Sequence, residues 1–225
     1  MSRNLIVSVA IAALAAFGAY WVTSTPDSAS AVPEFQLGAA NAQEAAEIDT
    51  SSVVEMELGN PDAPLTVIEY ASYTCPHCAT FHAGVYQQLK ADYIDTGKVH
   101  FVYREVYFDR LGLWASLVSR CGGEQRFFGI TSMLYDQQRD WIGSGDGAEV
   151  VANLRRIGKV AGLDDAALDA CLSDQDKAQT LVAWFQQNAQ ADGISSTPSF
   201  VIDGTTYQNM SYADFQSILD EKLGE

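Results

Sequence analysis

Two cysteines separated by two residues, in the run Cys75-Pro76-His77-Cys78, are the side chains of this sequence best suited to chemistry. A thiolate, rather than a thiol, attacks and leaves when disulfides are exchanged. The other chemistry open to such cysteines is half of a zinc site, because zinc binds thiolates and imidazoles, usually four at a time. The spacing alone therefore indicates either redox exchange or metal binding.

The remaining cysteines and histidines favour redox exchange over metal binding. Cys121 and Cys171 lie far apart in the sequence and form no second pair of this spacing. The only histidines besides His77 are His82, four residues after Cys78, and His100, and a metal site would use Cys75, Cys78 and His82. We therefore predict redox chemistry and keep a metal-binding chaperone as the alternative from a different functional class.

The elements around the motif place it where a strand meets a helix. The run Leu65–Tyr70 is nearly all apolar or β-branched, as expected for a central strand buried on both faces. A helical pattern follows over about 76–96, and 99–103 predicts another strand. In such a unit the positive end of the helix dipole and free backbone amides face the Cys75 sulfur, and Pro76 favours the first helical turn.

This environment should lower the pKa of Cys75 into the range of about 3.5–7 that such motifs have. His77 adds a second potential positive charge, and a stabilised thiolate makes the disulfide more oxidising. Cys78, one turn further on, can resolve or close the disulfide. Glu69, in an otherwise apolar strand, should be buried with a raised pKa and able to accept a proton from Cys78. The alternative for this glutamate is a partly solvated acid at the strand end.

The rest of the chain predicts a helical block followed by a smaller β-β-α unit. A short strand over 53–58 precedes the central strand, and the pattern over 109–191 is helical. A hairpin over 199–207 turns at Asp203-Gly204, and a last helix covers about 212–223.

The N-terminus carries an export signature. Arg3 precedes an uncharged apolar run from Leu5 to Val22, which approaches the length of about 20 residues that spans a membrane. We expect residues 1–22 to be a cleaved signal peptide or a retained anchor, and residues 23–50, rich in Ala, Ser, Pro and acids, to be a flexible linker. An exported protein can hold its cysteines as disulfides.

Composition excludes some other classes of protein. The 225 residues, 48% of them hydrophobic, suffice for one compact domain with an insertion. With 13 basic and 29 acidic residues the formal charge is −16. Because so acidic a surface repels phosphates, nucleic acid is not an expected partner.

Two segments together resemble the DsbA family of bacterial thiol:disulfide interchange proteins. The run Val67–Cys78 (VIEYASYTCPHC) is similar to the active-site strand and helix start of that family, and Gly193–Gly204 (GISSTPSFVIDG) is similar to its Thr-Pro loop. The resemblance covers about 52–225 and implies an α/β, thioredoxin-like fold with an inserted all-helical domain. The implied boundaries are 52–108 and 192–225 for the thioredoxin-like domain and 109–191 for the insertion.

The resemblance also implies roles for the Thr-Pro loop. Pro198 is expected to be a cis proline packed against the active-site disulfide, and the backbone beside it to pair with a substrate peptide. Thr197 is expected to tune the redox properties, although threonine there also occurs among reducing and isomerising relatives. The predicted catalytic set is therefore Glu69, Cys75, Pro76, His77, Cys78, Thr197 and Pro198.

A second cysteine pair falls in the helical block. In an exported protein, Cys121 and Cys171 favour a structural disulfide, with two free thiols as the alternative. The segment Cys121–Phe128 resembles one found in DsbA-like relatives that have a second cysteine pair.

The family likeness extends to partners and location. It implies a periplasmic oxidase that introduces disulfides into unfolded or partly folded exported proteins and is reoxidised by a DsbB-type membrane partner. No cofactor is expected beyond the Cys75–Cys78 disulfide. An isomerase or reductase is the close alternative, although isomerases of this superfamily generally need a dimerisation module, and we recognise none in this sequence beyond the linker.

Overall fold

A mixed five-stranded sheet lies at the centre of the computed structural model, which describes residues 48–225. The strands are β1 Met56–Leu58, β2 Leu65–Ala71, β3 Val99–Glu105, β4 Ser199–Ile202 and β5 Thr205–Gln208. They are arranged in the order β1-β3-β2-β4-β5. β2 and β3 are parallel, and every other pair of neighbours is antiparallel.

Nine α-helices and one π-helical turn surround this sheet in the described part of the chain. They are α1 Pro76–Ala83, α2 Val85–Leu89, the π-helical turn Lys90–Ile94, α3 Arg110–Cys121, α4 Glu124–Asp136, α5 Gln138–Ile142, α6 Gly147–Val160, α7 Asp165–Ser173, α8 Gln175–Ala191 and α9 Tyr212–Leu223.

Strand β2 is buried on both faces, as its apolar sequence predicts. Val67 packs into the main core with Phe101 and Phe200. Tyr70 points the other way, into a smaller cluster with Val201. Because β2 pairs with both β3 and β4, its backbone is held on both sides, and the residues that follow it start from a rigid position.

The helical stretch predicted over about 76–96 is confirmed, but it is divided into two α-helices and a π-helical turn. Helix α1 ends at Ala83, because Gly84 leaves the helical conformation with φ −125° and ψ −79°. After α2 the chain widens into the π-helical turn, in which the Asp95 amide donates to the Lys90 carbonyl at 2.8 Å. The active-site helix is thus a separate short element rather than the start of a long one.

The first strand is also shorter than the predicted span 53–58. The Val53 amide closes a turn onto the Thr50 carbonyl at 3.0 Å, and Arg120 donates to the Val54 carbonyl at 2.9 Å. These groups are no longer available for a strand ladder, so pairing begins only at Met56.

Helices α3 to α8 form one block inserted between β3 and β4. Aspartate side chains accept hydrogen bonds from the first backbone amides of α3, α6, α7 and α8, and these caps are Asp109, Asp146, Asp164 and Asp174. A disulfide joins Cys121, at the end of α3, to Cys171 in α7, with their Cα atoms 5.9 Å apart. Part of the acidic composition therefore serves to start helices.

A buried ion pair fastens this block to the sheet. Arg120 of α3 binds Glu105 of β3 through two hydrogen bonds of 2.7 Å, and both side chains are almost fully buried. A bidentate geometry of this kind satisfies two charges that would be costly to bury alone.

The order of strands and the helical insertion confirm the predicted fold class. The chain is an α/β protein with a thioredoxin-like sheet, β-α-β followed by β-β-α, and an inserted helical block.

The predictions for the N-terminus fall outside this description. Residues 1–22, and all but the last three residues of the linker 23–50, are not among those described. Over residues 48–225, the helices are all too short or too polar to span a bilayer.

Candidate active site

The structure places Cys75 at the end of the loop that follows β2, directly before α1. Its backbone is extended, with φ −80° and ψ 120°, and Pro76 occupies the first helical position. Cys75 is half-buried, whereas Pro76 and His77 are exposed and Cys78 is fully buried. One sulfur of the motif is thus accessible from solvent while the other lies in the core.

The environment of Cys75 favours its thiolate. The pKa of Cys75 is lowered to about 5, chiefly by a hydrogen bond from the Cys78 thiol. The Thr197 side chain and the backbone amides of Cys78 and His77 also lower this pKa, while partial burial opposes them. The amides of the first turn of α1 therefore act on the sulfur as the strand-to-helix position predicts. For His77 the contributing group is its backbone amide, and its side chain lies in solvent.

Cys78 has the opposite character. Burial raises the pKa of its thiol far above the usual range, and the neighbouring charges of Glu69 and Cys75 add to the effect. At neutral pH the two cysteines therefore differ, because Cys75 is a thiolate and Cys78 is a thiol that hydrogen-bonds to it.

Glu69 is a buried acid on the core face of β2. Its neighbours across the sheet are Tyr103 in β3 and Phe200 in β4, and only 1% of the residue is exposed. Burial raises the pKa of Glu69 to about 8. Its charge also raises the pKa of Cys78, so the carboxyl lies within electrostatic reach of that sulfur. The geometry is that of a buried, proton-holding acid and not of a solvated acid at a strand end.

The Thr197–Pro198 loop packs beside Cys75, although it comes more than 100 residues later in the chain. The peptide bond between Thr197 and Pro198 is cis. The Cys75 sulfur lies 3.5 Å from the Thr197 carbonyl oxygen, to which it donates when it is protonated. The Thr197 hydroxyl oxygen is buried without a hydrogen-bond partner among the described residues, so it is available to the Cys75 sulfur. Pro198 itself is buried.

Two side chains from the helical block contact the cysteine loop and escaped the sequence prediction. The Gln138 amide donates to the backbone carbonyls of Tyr73 and Cys75. Asp109, the cap of α3, accepts a hydrogen bond of 2.7 Å from the Thr74 hydroxyl. Neither residue has a spacing relation to the cysteines, so no sequence signal could have singled them out.

His82, which the metal-binding alternative requires, is part of the aromatic core. Its ring stacks on Tyr86 at 4.5 Å between centroids, and its Nε2 atom lies 3.2 Å from the Ser132 hydroxyl. Burial lowers the pKa of His82 to about 4. Within residues 48–225, no three His, Cys, Asp or Glu side chains are grouped so as to hold a metal ion.

Comparison with known proteins identifies a family and several relatives of this chain. The family model described as thioredoxin matches residues 51–221. A Rickettsia bellii protein that bears the name of a protein-disulfide oxidoreductase is 34% identical over 172 residues, which is 76% of this chain and 65% of that protein. The chain thus spans just under two thirds of the length of this relative.

Two solved structures are similar over the same part of the chain. Wolbachia pipientis alpha-DsbA1 superposes with a TM-score of 0.70 and 28% identity, covering 76% of this chain and 91% of that one. A protein-disulfide isomerase from Novosphingobium aromaticivorans superposes with a TM-score of 0.69 and 28% identity, covering 76% and 98%.

A thioredoxin-like sheet with a strand-to-helix cysteine pair beside a cis-proline loop defines the class of the thiol–disulfide oxidoreductases. Within that class, the inserted helical block and the matches above distinguish the DsbA-like proteins from thioredoxin itself. The chain belongs to the DsbA family of thiol:disulfide oxidoreductases.

Proposed function

We propose that this protein is an oxidase that introduces disulfide bonds into exported proteins by exchange at Cys75 and Cys78. The observation that carries the proposal is the opposite proton affinity of the two sulfurs, with the pKa of Cys75 lowered to about 5 and that of buried Cys78 raised. A stabilised Cys75 thiolate favours the reduced form of the protein, and a stable reduced form makes the disulfide a strong oxidant.

The reaction begins with the Cys75–Cys78 disulfide. A substrate thiolate attacks the accessible Cys75 sulfur, the bond between the two cysteines breaks, and Cys78 leaves and takes up a proton. A second substrate thiolate then attacks the substrate sulfur of this mixed disulfide and releases the Cys75 thiolate. Two electrons pass from the two substrate thiols to the protein, and the substrate gains one disulfide.

Glu69 supplies and removes the proton at Cys78. With a pKa of about 8, its carboxyl is mostly protonated at neutral pH, so it can donate to the leaving Cys78 thiolate. When the protein is reoxidised, the ionised carboxyl accepts the proton from the Cys78 thiol. The proton therefore has a buried acceptor where solvent cannot reach the sulfur.

The Thr197–Pro198 loop is the proposed binding edge for the substrate peptide. It lies beside the accessible sulfur, and its backbone comes directly before β4. Substrate in this position would be an unfolded or partly folded chain, because only an extended segment can pair with exposed backbone. Reoxidation by a quinone-linked membrane partner of the DsbB type, and a periplasmic location, complete the proposal.

The reduction potential of the Cys75/Cys78 pair is the experiment that tests the direction of exchange. We expect a value nearer to the about −120 mV of a strong oxidant than to the about −270 mV of thioredoxin. The measurement is equilibration with mixtures of reduced and oxidised glutathione, with the protein thiols quantified after acid quenching. A value near that of thioredoxin would contradict the oxidase.

Isomerase or reductase activity is the second candidate, and one specific observation favours it. The similar structure from Novosphingobium aromaticivorans carries the name of a protein-disulfide isomerase. A scrambled protein with non-native disulfides separates the two activities, because an isomerase restores the native pairing without a net change in the number of thiols. Such recovery, together with no oxidation of a reduced substrate, would favour the isomerase.

A further inference from the structure

One glutamine of the helical block contacts the backbone on both sides of Thr74, the residue before Cys75. Gln138 is the first residue of α5, and its side-chain nitrogen donates to the Tyr73 carbonyl at 2.8 Å and to the Cys75 carbonyl at 2.9 Å. Only 7% of this residue is exposed. Both N–H bonds of a single amide group are therefore used on the cysteine loop.

The carbonyls that Gln138 binds belong to the first turn of α1 and its approach. The Cys75 carbonyl also accepts the Ala79 amide at 3.2 Å, which is the first hydrogen bond of the helix. On the other side, the Cys75 amide donates to the Ser72 carbonyl at 3.1 Å. The turn is thus held by its own backbone and by one donor from outside the thioredoxin-like domain.

The direction of the Tyr73 and Cys75 carbonyls affects how well the Cys75 thiolate is stabilised. A carbonyl oxygen carries partial negative charge and repels a thiolate, whereas a backbone amide attracts it. Gln138 draws two oxygens towards the helical block and satisfies them there. The amides of His77 and Cys78, which lower the pKa of Cys75, keep the position in which they face the sulfur.

We infer that Gln138 is a positioning residue for the redox site, which holds the turn at Tyr73–Cys75 so that the amides of α1 face the Cys75 sulfur. The helical block thereby contributes to how strongly the disulfide oxidises its substrates. The inference rests on the proposed exchange at Cys75 and concerns only how strongly oxidising the Cys75–Cys78 disulfide is.

The test is Gln138→Met, which keeps the length of the side chain and removes both donors. We expect the titration of the thiolate, followed by its ultraviolet absorbance, to move to higher pH by about one unit. We also expect the equilibrium with glutathione to shift about tenfold towards the protein disulfide, which corresponds to about 30 mV. In Gln138→Glu, the ionised carboxylate places an oxygen against the two carbonyls. This variant should shift the thiolate titration and the glutathione equilibrium in the same directions as Gln138→Met.

A matched control comes from a second buried amide in the same block. Asn153 of α6 is 8% exposed and donates to the Asp140 and Trp141 carbonyls at 3.2 and 3.4 Å, without contacting the cysteine loop. Asn153→Leu should lose stability but keep the wild-type thiolate titration and glutathione equilibrium. Loss of stability alone therefore does not reproduce the expected result for Gln138→Met.

The outcomes separate this inference from the proposed function. If the low-pH thiolate titration of the wild-type protein persists in Cys75→Ser, the titrating thiolate is not Cys75. That result would overturn the proposed exchange at Cys75. A titration that vanishes in Cys75→Ser but stays unchanged in both folded Gln138 variants would overturn only the role of Gln138. Equal shifts in Gln138→Met and Asn153→Leu would likewise reduce Gln138 to a structural contact.

Discussion

Replacing Cys75 with serine is expected to abolish the transfer of disulfides to a reduced, unfolded substrate. The hydroxyl of serine cannot form a mixed disulfide, and buried Cys78 is not accessible to a substrate thiolate. The loss should be complete, because without Cys75 there is no Cys75–Cys78 disulfide to transfer. In the wild-type protein the pKa of about 5 makes Cys75 a good leaving group in the second exchange step, since its thiolate is almost fully formed at pH 7. An ordinary cysteine with a pKa of about 8.5 would be only about 3% ionised at that pH.

The measurement is the loss of free thiols from a reduced, unfolded substrate protein mixed with the oxidised enzyme. Two variants sharpen it. Cys78→Ser keeps the accessible sulfur but cannot resolve a mixed disulfide. When it is given a substrate that already contains a disulfide, the Cys75 thiolate should attack that disulfide and release one substrate thiolate, and the mixed disulfide at Cys75 should accumulate and appear as a mass increase. A double variant, Cys121→Ser with Cys171→Ser, removes the second disulfide and should retain exchange below its melting temperature. Substantial substrate oxidation by Cys75→Ser would refute the mechanism.

Local sequence signals predicted the position of the reactive cysteine because its neighbours in the chain create that position. The apolar run that forms β2, the proline at the first helical position and the two-residue spacing all act within one short segment. Glu69 was recognisable for the same reason, since one acid in an otherwise apolar strand must be buried. The electrostatics of Cys75 follow from this segment, with Thr197 as an addition from far along the chain.

Local sequence signals could not predict the contacts between segments that are distant in the chain. Gln138 looks like any polar residue of a helix until the fold brings it to the Tyr73 and Cys75 carbonyls. Arg120 and Glu105 look like surface charges until they pair in the core. Pro198 could be placed beside the cysteines only through the family resemblance, because nothing in the sequence near it specifies a cis bond.

Glu69→Gln is expected to slow the step in which Cys78 loses its proton, on the order of 10²-fold. In the wild-type protein the ionised carboxyl accepts this proton, so the rate should rise with pH until Glu69 is ionised, near its pKa of about 8. The glutamine variant should lack this inflection. The measurement is rapid mixing of the reduced protein with oxidised glutathione, following the closure of the Cys75–Cys78 disulfide from the glutathione mixed disulfide.

Glu69→Gln should also remove a loss of stability that the wild-type protein shows as the pH rises. The pKa of Glu69 is about 8 in the folded protein and about 4.3 in an unfolded chain. Between these values the folded state holds one proton more than the unfolded state, so the wild-type protein loses stability as pH rises. Between pH 4 and pH 7 this loss should be about 3 kcal/mol, at about 1.4 kcal/mol for each pKa unit. Glu69→Gln should not show it.

The combination distinguishes a proton carrier from a residue that merely supports the fold. Replacing a residue that only supports the fold would lower both stability and rate. Glu69→Gln should instead gain stability relative to the wild-type protein as the pH rises from 4 to 7, while it slows the exchange. Glu221→Gln, which changes an exposed carboxylate of α9, is the matched control and should alter neither quantity. If Glu69→Gln exchanged at the wild-type rate across this pH range, the proton on Cys78 would have to travel by another route. The raised pKa of the buried acid would then be a cost to the fold without a catalytic use.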